Sequence, residues 1–144
     1  MKFLAAAILL LASAVAIAAE PNWVEVYSFA AFNGGTAHAF LDDANPVKEE
    51  TYGGFAIKNV FENLVVDNNN HATWKAMIEL FEFDCHTKQG RAKPIIVIDQ
   101  DGHGHNVNGA AWYPITNSPA TDIMKQVERR TCFYAVPGSS FGDR

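Results

Sequence analysis

The densest run of chemically versatile side chains is Asp99-Gln100-Asp101-Gly102-His103-Gly104-His105-Asn106. Carboxylates and imidazoles offer the oxygen and nitrogen donors that metal ions take. Read as a calcium loop, Asp99, Asp101 and His103 hold the first, third and fifth positions and Gly104 the sixth. The twelfth position is then Ala110, where a bidentate Glu is required, and no helix precedes the run; the EF-hand reading fails there. Read as a transition-metal site, His103 and His105 stand two apart and project to one face if the segment is a strand. Asp101 or Asp99 adds an oxygen ligand, and a closed tetrahedral site needs a further donor from His38, His71 or His86. The candidate metal ligands are therefore His103, His105 and Asp101. The competing reading is a solvated hairpin loop that uses glycine for positive φ angles. No cofactor is expected.

Other chemistry has less support in the residues. A nucleophilic enzyme needs Ser or Cys beside His, with a third group orienting the base. The chain has no Gly-x-Ser-x-Gly elbow, and Asp84 and His86 flank Cys85 on a segment where neighbours point to opposite faces. Glu79, Glu82 and Asp84 offer carboxylates for a glycosidase-type pair, against the reading of a solvated strand face. No phosphate-cradling glycine loop occurs. Nothing in these patterns marks an enzyme. Trp23, Trp74, Trp112 and Tyr113 are candidate interface anchors, and equally candidate core residues.

The elements that position these side chains read mainly as strands. Trp23 to Phe32 is rich in β-formers, and Asn33-Gly34-Gly35 is a turn. Thr36 to Leu41 returns with Ala37, Ala39 and Leu41 on one face and His38 and Phe40 on the other. Asp42 to Glu50 is a polar connection. Phe55 to Val66 is a further strand, ended by Asp67-Asn68-Asn69-Asn70-His71. Trp74 to Cys85 places Met77, Phe81, Phe83 and Cys85 on one side and Ile78 and Leu80 on the other. Gly90 and Pro94 frame a turn before the apolar run Ile95-Ile96-Val97-Ile98. Ala110 to Ile115 offers one more strand. A helix follows, with Ser118 as N-cap and Pro119 as first residue. Asp122 falls in its first turn and Arg129 and Arg130 in its last. Ala120, Ile123, Met124 and Val127 form its apolar stripe, which should lie on the sheet.

The amino terminus reads as an export signal. Lys2 precedes an apolar run from Phe3 to Ile17, and Ala16-Ile17-Ala18 has the small-x-small form of a signal-peptidase site. Cleavage leaves a chain beginning at Ala19 or Glu20, with no integral membrane segment and no lipid-attachment Cys beyond the cut. Residues 19–137 then form one domain, and residues 138–144 a loose tail. The whole chain of 144 residues carries a net charge of −5, and losing Lys2 makes it one unit more negative. Such a balance disfavours nucleic acid and anionic lipid as partners. In an exported protein the two cysteines, Cys85 and Cys132, default to a disulfide, worth roughly 4 kcal/mol in the chain-entropy model. Free thiols and a redox pair are the alternatives, and the close Cys-x-x-Cys spacing of a redox site is absent.

The early strand Trp23-Val24-Glu25-Val26, the strand ending in Phe83-Asp84-Cys85, Trp112-Tyr113-Pro114-Ile115, Ser118 at a helix start and the final Cys132 occur in a telling order. That order resembles the surface-adhesin protein E-like family of small exported bacterial proteins, over nearly the whole mature chain. The resemblance implies an α+β, mainly β fold: an antiparallel sheet of about six strands, one C-terminal helix packed on it, and a Cys85–Cys132 bond. It also implies a periplasmic or secreted, non-enzymatic envelope protein, adhesin-like, with an extracellular or envelope protein as partner. Residues 67–71 and 99–106 have no counterpart in the family pattern, so no adhesive residue carries over. The alternative function is a periplasmic metal or small-ligand binder using residues 99–106.

Overall fold

The computed structural model describes residues 19–67 and 71–134. The expected signal peptide, the loose tail and Asn68 to Asn70 lie outside the described residues. Among the described residues eight strands make one antiparallel sheet: β1 (Trp23–Ala30), β2 (Thr36–Asp42), β3 (Val47–Lys48), β4 (Tyr52–Val66), β5 (Thr73–Asp84), β6 (Gln89–Asp99), β7 (Gly104–Asn106) and β8 (Tyr113–Pro114). Six of them run in the order β1-β2-β4-β5-β6-β7, with β3 paired to β4 and β8 to β6. Among the described residues a single helix, α1 (Ala120–Tyr134), follows. The expected α+β, mainly β architecture is the one observed.

Period-two patterning decides which face is the core. Directly opposed residues on antiparallel strands share a face. The pairs Ala37↔Phe61, Ala39↔Asn59, Leu41↔Ile57, Phe55↔Phe81 and Phe81↔Ala92 therefore fix one inner face across four strands. Ala37, Ala39, Leu41, Ile57 and Ala92 are fully buried there. Helix α1 lies on one end of this face, its Ile123, Met124 and Val127 joining Leu41, Phe55, Ile57, Phe81 and Phe83 in the main core cluster. Gly90 allows the close approach: a Cβ at that position would lie 2.7 Å from Met124 Sδ. A second, smaller cluster of Ala37, Phe61 and Val65, with Trp74 and Met77 packed against it, occupies the other end of the same face.

Cys85 and Cys132 form the disulfide, with Cα atoms 5.7 Å apart. It joins the end of β5 to α1, so the helix is tied to the sheet at its last turn. That helix is longer at its C-terminal end than the charge pattern suggested. Cys132 is inside it, and Arg129 and Arg130 precede the last turn rather than forming it. Its start also differs. The amides of Asp122 and Ile123 donate to the Pro119 carbonyl at 2.9 and 3.1 Å. Pro119 thus sits at the cap, and the Ser118 hydroxyl points to Asp122 Oδ2, 3.4 Å away.

Two strand expectations are corrected. Gly90 and Pro94 do not frame a turn; both lie inside β6. The chain reverses earlier, at residues 85–88. The Asp84 carboxylate accepts the amides of His86 and Thr87 at 2.8 and 3.0 Å, and Lys88 adopts a φ of 58°. Pro94 is tolerated because the register shifts beside it, from Ile78↔Ile96 to Glu79↔Pro94, and because it lies between the stretches of β6 that pair with β8 and β7. Ala110 to Ile115 also yields less than expected, with only Tyr113 and Pro114 pairing to Arg91 and Ala92.

Candidate functional site

Three constellations emerge once the sheet is assembled. The first stands where the two core clusters meet. Asn59 on β4 and Glu79 on β5 are both buried on the inner face. Asn59 Nδ2 donates to Glu79 Oε2 at 3.0 Å, and the Tyr113 hydroxyl donates to Glu79 Oε1. Burial pushes the Glu79 carboxyl above the usual range, against the two hydrogen bonds that favour its charged form. Tyr113 is likewise pushed up, by burial and then by its bond to that carboxylate. Asn59 Oδ1 is left without a protein partner.

The second is a groove that opens on the opposite face, where no described helix packs, and runs over the β8 edge of the sheet. Glu82 and Arg91 are cross-strand partners in the β5–β6 hairpin. Arg91 Nε and Nη2 both donate to Glu82 Oε2, at 2.8 and 2.7 Å. That anchor holds the guanidinium 4.3 Å from the Trp112 ring centre and 5.4 Å from that of Tyr52. A cation so placed is attracted by both ring faces. Trp112 and Tyr113 are among the exposed large hydrophobics. Together these residues line a groove of about 710 Å³ that Asp84, Lys88 and Ile115 extend. The sheet surface beside it carries half-buried Phe40, Val60, Ile78, Leu80, Ile96 and Ile98. Lys58 lies over the Trp23 ring there, at 4.8 Å.

The third is the β6–β7 hairpin, which gathers the residues singled out from the sequence. Asp99, at the end of β6, accepts the amides of Asp101 and His103 on Oδ1 at 3.0 and 2.9 Å. Its Oδ2 faces two imidazoles, His105 Nε2 at 2.8 Å and His103 Nδ1 at 3.6 Å. The His105 hydrogen bond, followed by the His103 amide, lowers the Asp99 carboxyl from 3.8 to about 2. Among the described residues, Asp99, Asp101 and His103 form a group whose donor atoms all lie within 4.8 Å of one another. His105 joins it through Asp99 Oδ2. The histidines proposed to complete the set are elsewhere engaged or placed. His38 Nδ1 meets Glu25 at 2.7 Å, His86 is in the β5–β6 turn, and His71 is in the β4–β5 turn with a φ of 56°. Asp99 Oδ2, not one of these histidines, is the atom that both imidazoles of the hairpin face.

The carboxylates considered for glycosidase chemistry do not form a solvated face. Glu79 and Glu82 are both buried, and three residues apart on one strand they point to opposite faces of the sheet. They cannot flank one bond. Asp84 is held as a turn acceptor, its carboxyl lowered first by the Thr87 amide and then by that of His86. The sequence does not single out Arg91 or Tyr52, and it offers Glu82 only as a glycosidase-type carboxylate. Their signal is hairpin arithmetic: residues equally spaced about the turn at 85–88 face each other, which pairs Glu82 with Arg91 only once that turn is placed. No family model, curated protein or solved structure matches the chain, so the geometry is the ground for a functional reading.

Proposed function

We propose that the chain is an exported, non-enzymatic protein of the bacterial cell envelope that binds a protein partner on its helix-free sheet face. The observation that carries this reading is Arg91, fixed by the buried Glu82 carboxylate and stacked beside exposed Trp112 in an open groove. Arg and Trp are the side chains that most often dominate protein interfaces, because each offers large rigid area with directional bonding. Here the guanidinium is already oriented, so little side-chain entropy remains to be lost on binding. Half-buried aliphatic residues continue from the groove along the same face, which suits an apolar contact rimmed by charge. The disulfide supports an oxidising compartment. No helix among the described residues is long and apolar enough to cross a membrane. The resemblance to surface-adhesin protein E-like proteins points the same way and suggests an extracellular or envelope protein as the partner.

The test uses the protein recovered from the periplasm or medium, with its amino terminus read at Ala19 or Glu20. Its binding to immobilised extracellular-matrix proteins is compared with that of Trp112→Ala and Arg91→Lys. Lysine keeps a positive charge beside Glu82 but loses the planar stack. Each variant should weaken binding by tenfold or more, on the order of 2 kcal/mol, with an unchanged circular dichroism spectrum. Binding unaffected by either change would remove the groove from the interface, and an uncleaved amino terminus would remove the export reading.

A further inference from the structure

We propose that the β6–β7 hairpin is a transition-metal site, with Asp99 Oδ2, an Asp101 carboxylate oxygen, His103 Nδ1 and His105 Nε2 as its four ligands. This goes beyond the protein-binding reading and rests on a different part of the molecule. Zn²⁺ binds imidazole nitrogen and carboxylate oxygen at about 2.0–2.2 Å, so two ligands of one tetrahedral ion stand roughly 3.4 Å apart. The two separations from Asp99 Oδ2, 3.6 Å to His103 and 2.8 Å to His105, fall on either side of that value. The mutual 4.8 Å limit on the Asp99, Asp101 and His103 donors allows one ion to reach all three. An ion there replaces the His105–Asp99 hydrogen bond with a pair of metal bonds, and His105, which stands outside the group of three, joins by swinging from Asp99 Oδ2 onto the ion.

Two features make the hairpin more than a chance gathering of donors. All four ligands lie within seven consecutive residues, so the β6–β7 pairing Val97↔His105 and Ile98↔Gly104 delivers His105 opposite the strand that carries Asp99. The remaining Asp99 oxygen is already fixed by two backbone amides, the kind of supporting bond that orients a ligating carboxylate. Two nitrogen donors select Zn²⁺, Cu²⁺ or Ni²⁺ over Ca²⁺ and Mg²⁺, which prefer all-oxygen shells. Lys75 reaches the same loop, but its Nζ donates to the Gln100 carbonyl at 3.4 Å rather than to the carboxylates.

The experiment is calorimetric titration of the oxidised, chelator-treated protein with ZnCl₂, with CaCl₂ as the comparison ion. The expected result is one zinc per chain and no saturable calcium binding. A His103→Ala/His105→Ala double variant should lose tenfold or more in zinc affinity, and His38→Ala should lose none. Asp101→Asn provides a milder second variant, since the backbone amide that serves Asp99 is retained. Zinc should also shift the imidazole resonances of His103 and His105 in the unmutated protein. Absence of saturable zinc binding, affinity untouched by the double variant, or unshifted His103 and His105 resonances would each overturn the proposal. None of these outcomes bears on the Arg91–Trp112 groove.

Discussion

The two ends of the inner sheet face are built on different principles. One end is covered by α1, stapled by the Cys85–Cys132 bond and filled by large side chains such as Phe81, Leu41 and Val127. The other has a smaller cluster around Phe61 and Val65, and Asp99 faces the two imidazoles beyond it. Asn59, Glu79 and Tyr113 mark the boundary. The first end is held by buried apolar area and a covalent link, both insensitive to pH. The boundary and the far hairpin are held by charge and hydrogen bonds, which respond to pH and to ions. Apolar burial and a covalent link thus dominate one end of the sheet face, and charged hydrogen bonds dominate the other.

The strongest way to break this comparison is to cut the staple. Cys85→Ser/Cys132→Ser should lose roughly 4 kcal/mol in urea unfolding, whereas His103→Ala/His105→Ala should stay within about 0.5 kcal/mol without metal. Equal losses from the two double variants would mean that the ends are not distinct in kind.

A smaller effect tests the boundary. Glu79 has a folded-state pKa above its ordinary value of 4.5, so the folded protein binds a proton more readily than the unfolded chain. Its contribution is fully present below the unfolded value and is lost as pH rises through the raised folded value. Glu79→Gln should remove that decline in a stability–pH profile. Tyr113→Phe should extend it to higher pH, because the hydroxyl bond that favours the carboxylate is gone. Profiles that superimpose on the unmutated protein would show that burial of Glu79 has no energetic consequence.

The smallest expected effect lies in the far hairpin and has the opposite sign. The carboxyl of Asp99 titrates at about 2 when folded, against an ordinary 3.8. Its contribution is present above about pH 4 and is lost as pH falls toward 2. The stability difference between the unmutated protein and Asp99→Asn should therefore shrink over that acidic window. A difference that stays constant with pH would place the carboxylate's role in packing rather than charge.

How much of this was legible depended on the range of the forces involved. Alternation alone puts Ala37, Ala39 and Leu41 on one face, and all three are fully buried. Period-two patterning is a property of neighbouring residues and needs no partner strand. The disulfide followed from compartment chemistry in the same way. The sequence suggests a solvated face for Glu79 and Glu82, and both are buried; a buried carboxylate is tolerated only where partners meet it. Those partners, Asn59, Tyr113 and Arg91, are brought by other strands. The expected turn at Gly90 and Pro94 failed for a similar reason: proline is excluded from a strand only if its missing N–H is needed, and here it stands at a register shift.

Residue type and order specify the local terms: the strand faces, the apolar stripe of the helix, the cysteine pair and the crowding of Asp and His in residues 99–105. Which end of the face the helix covers, and which carboxylates leave water, follow from the assembled sheet. It alone stacks Arg91 beside Trp112 and turns His105 onto Asp99. Alternation and turn preference act between neighbours in the chain. Burial of charge, cation–π stacking and ligand convergence are settled by cross-strand register, which exists only once the sheet has formed.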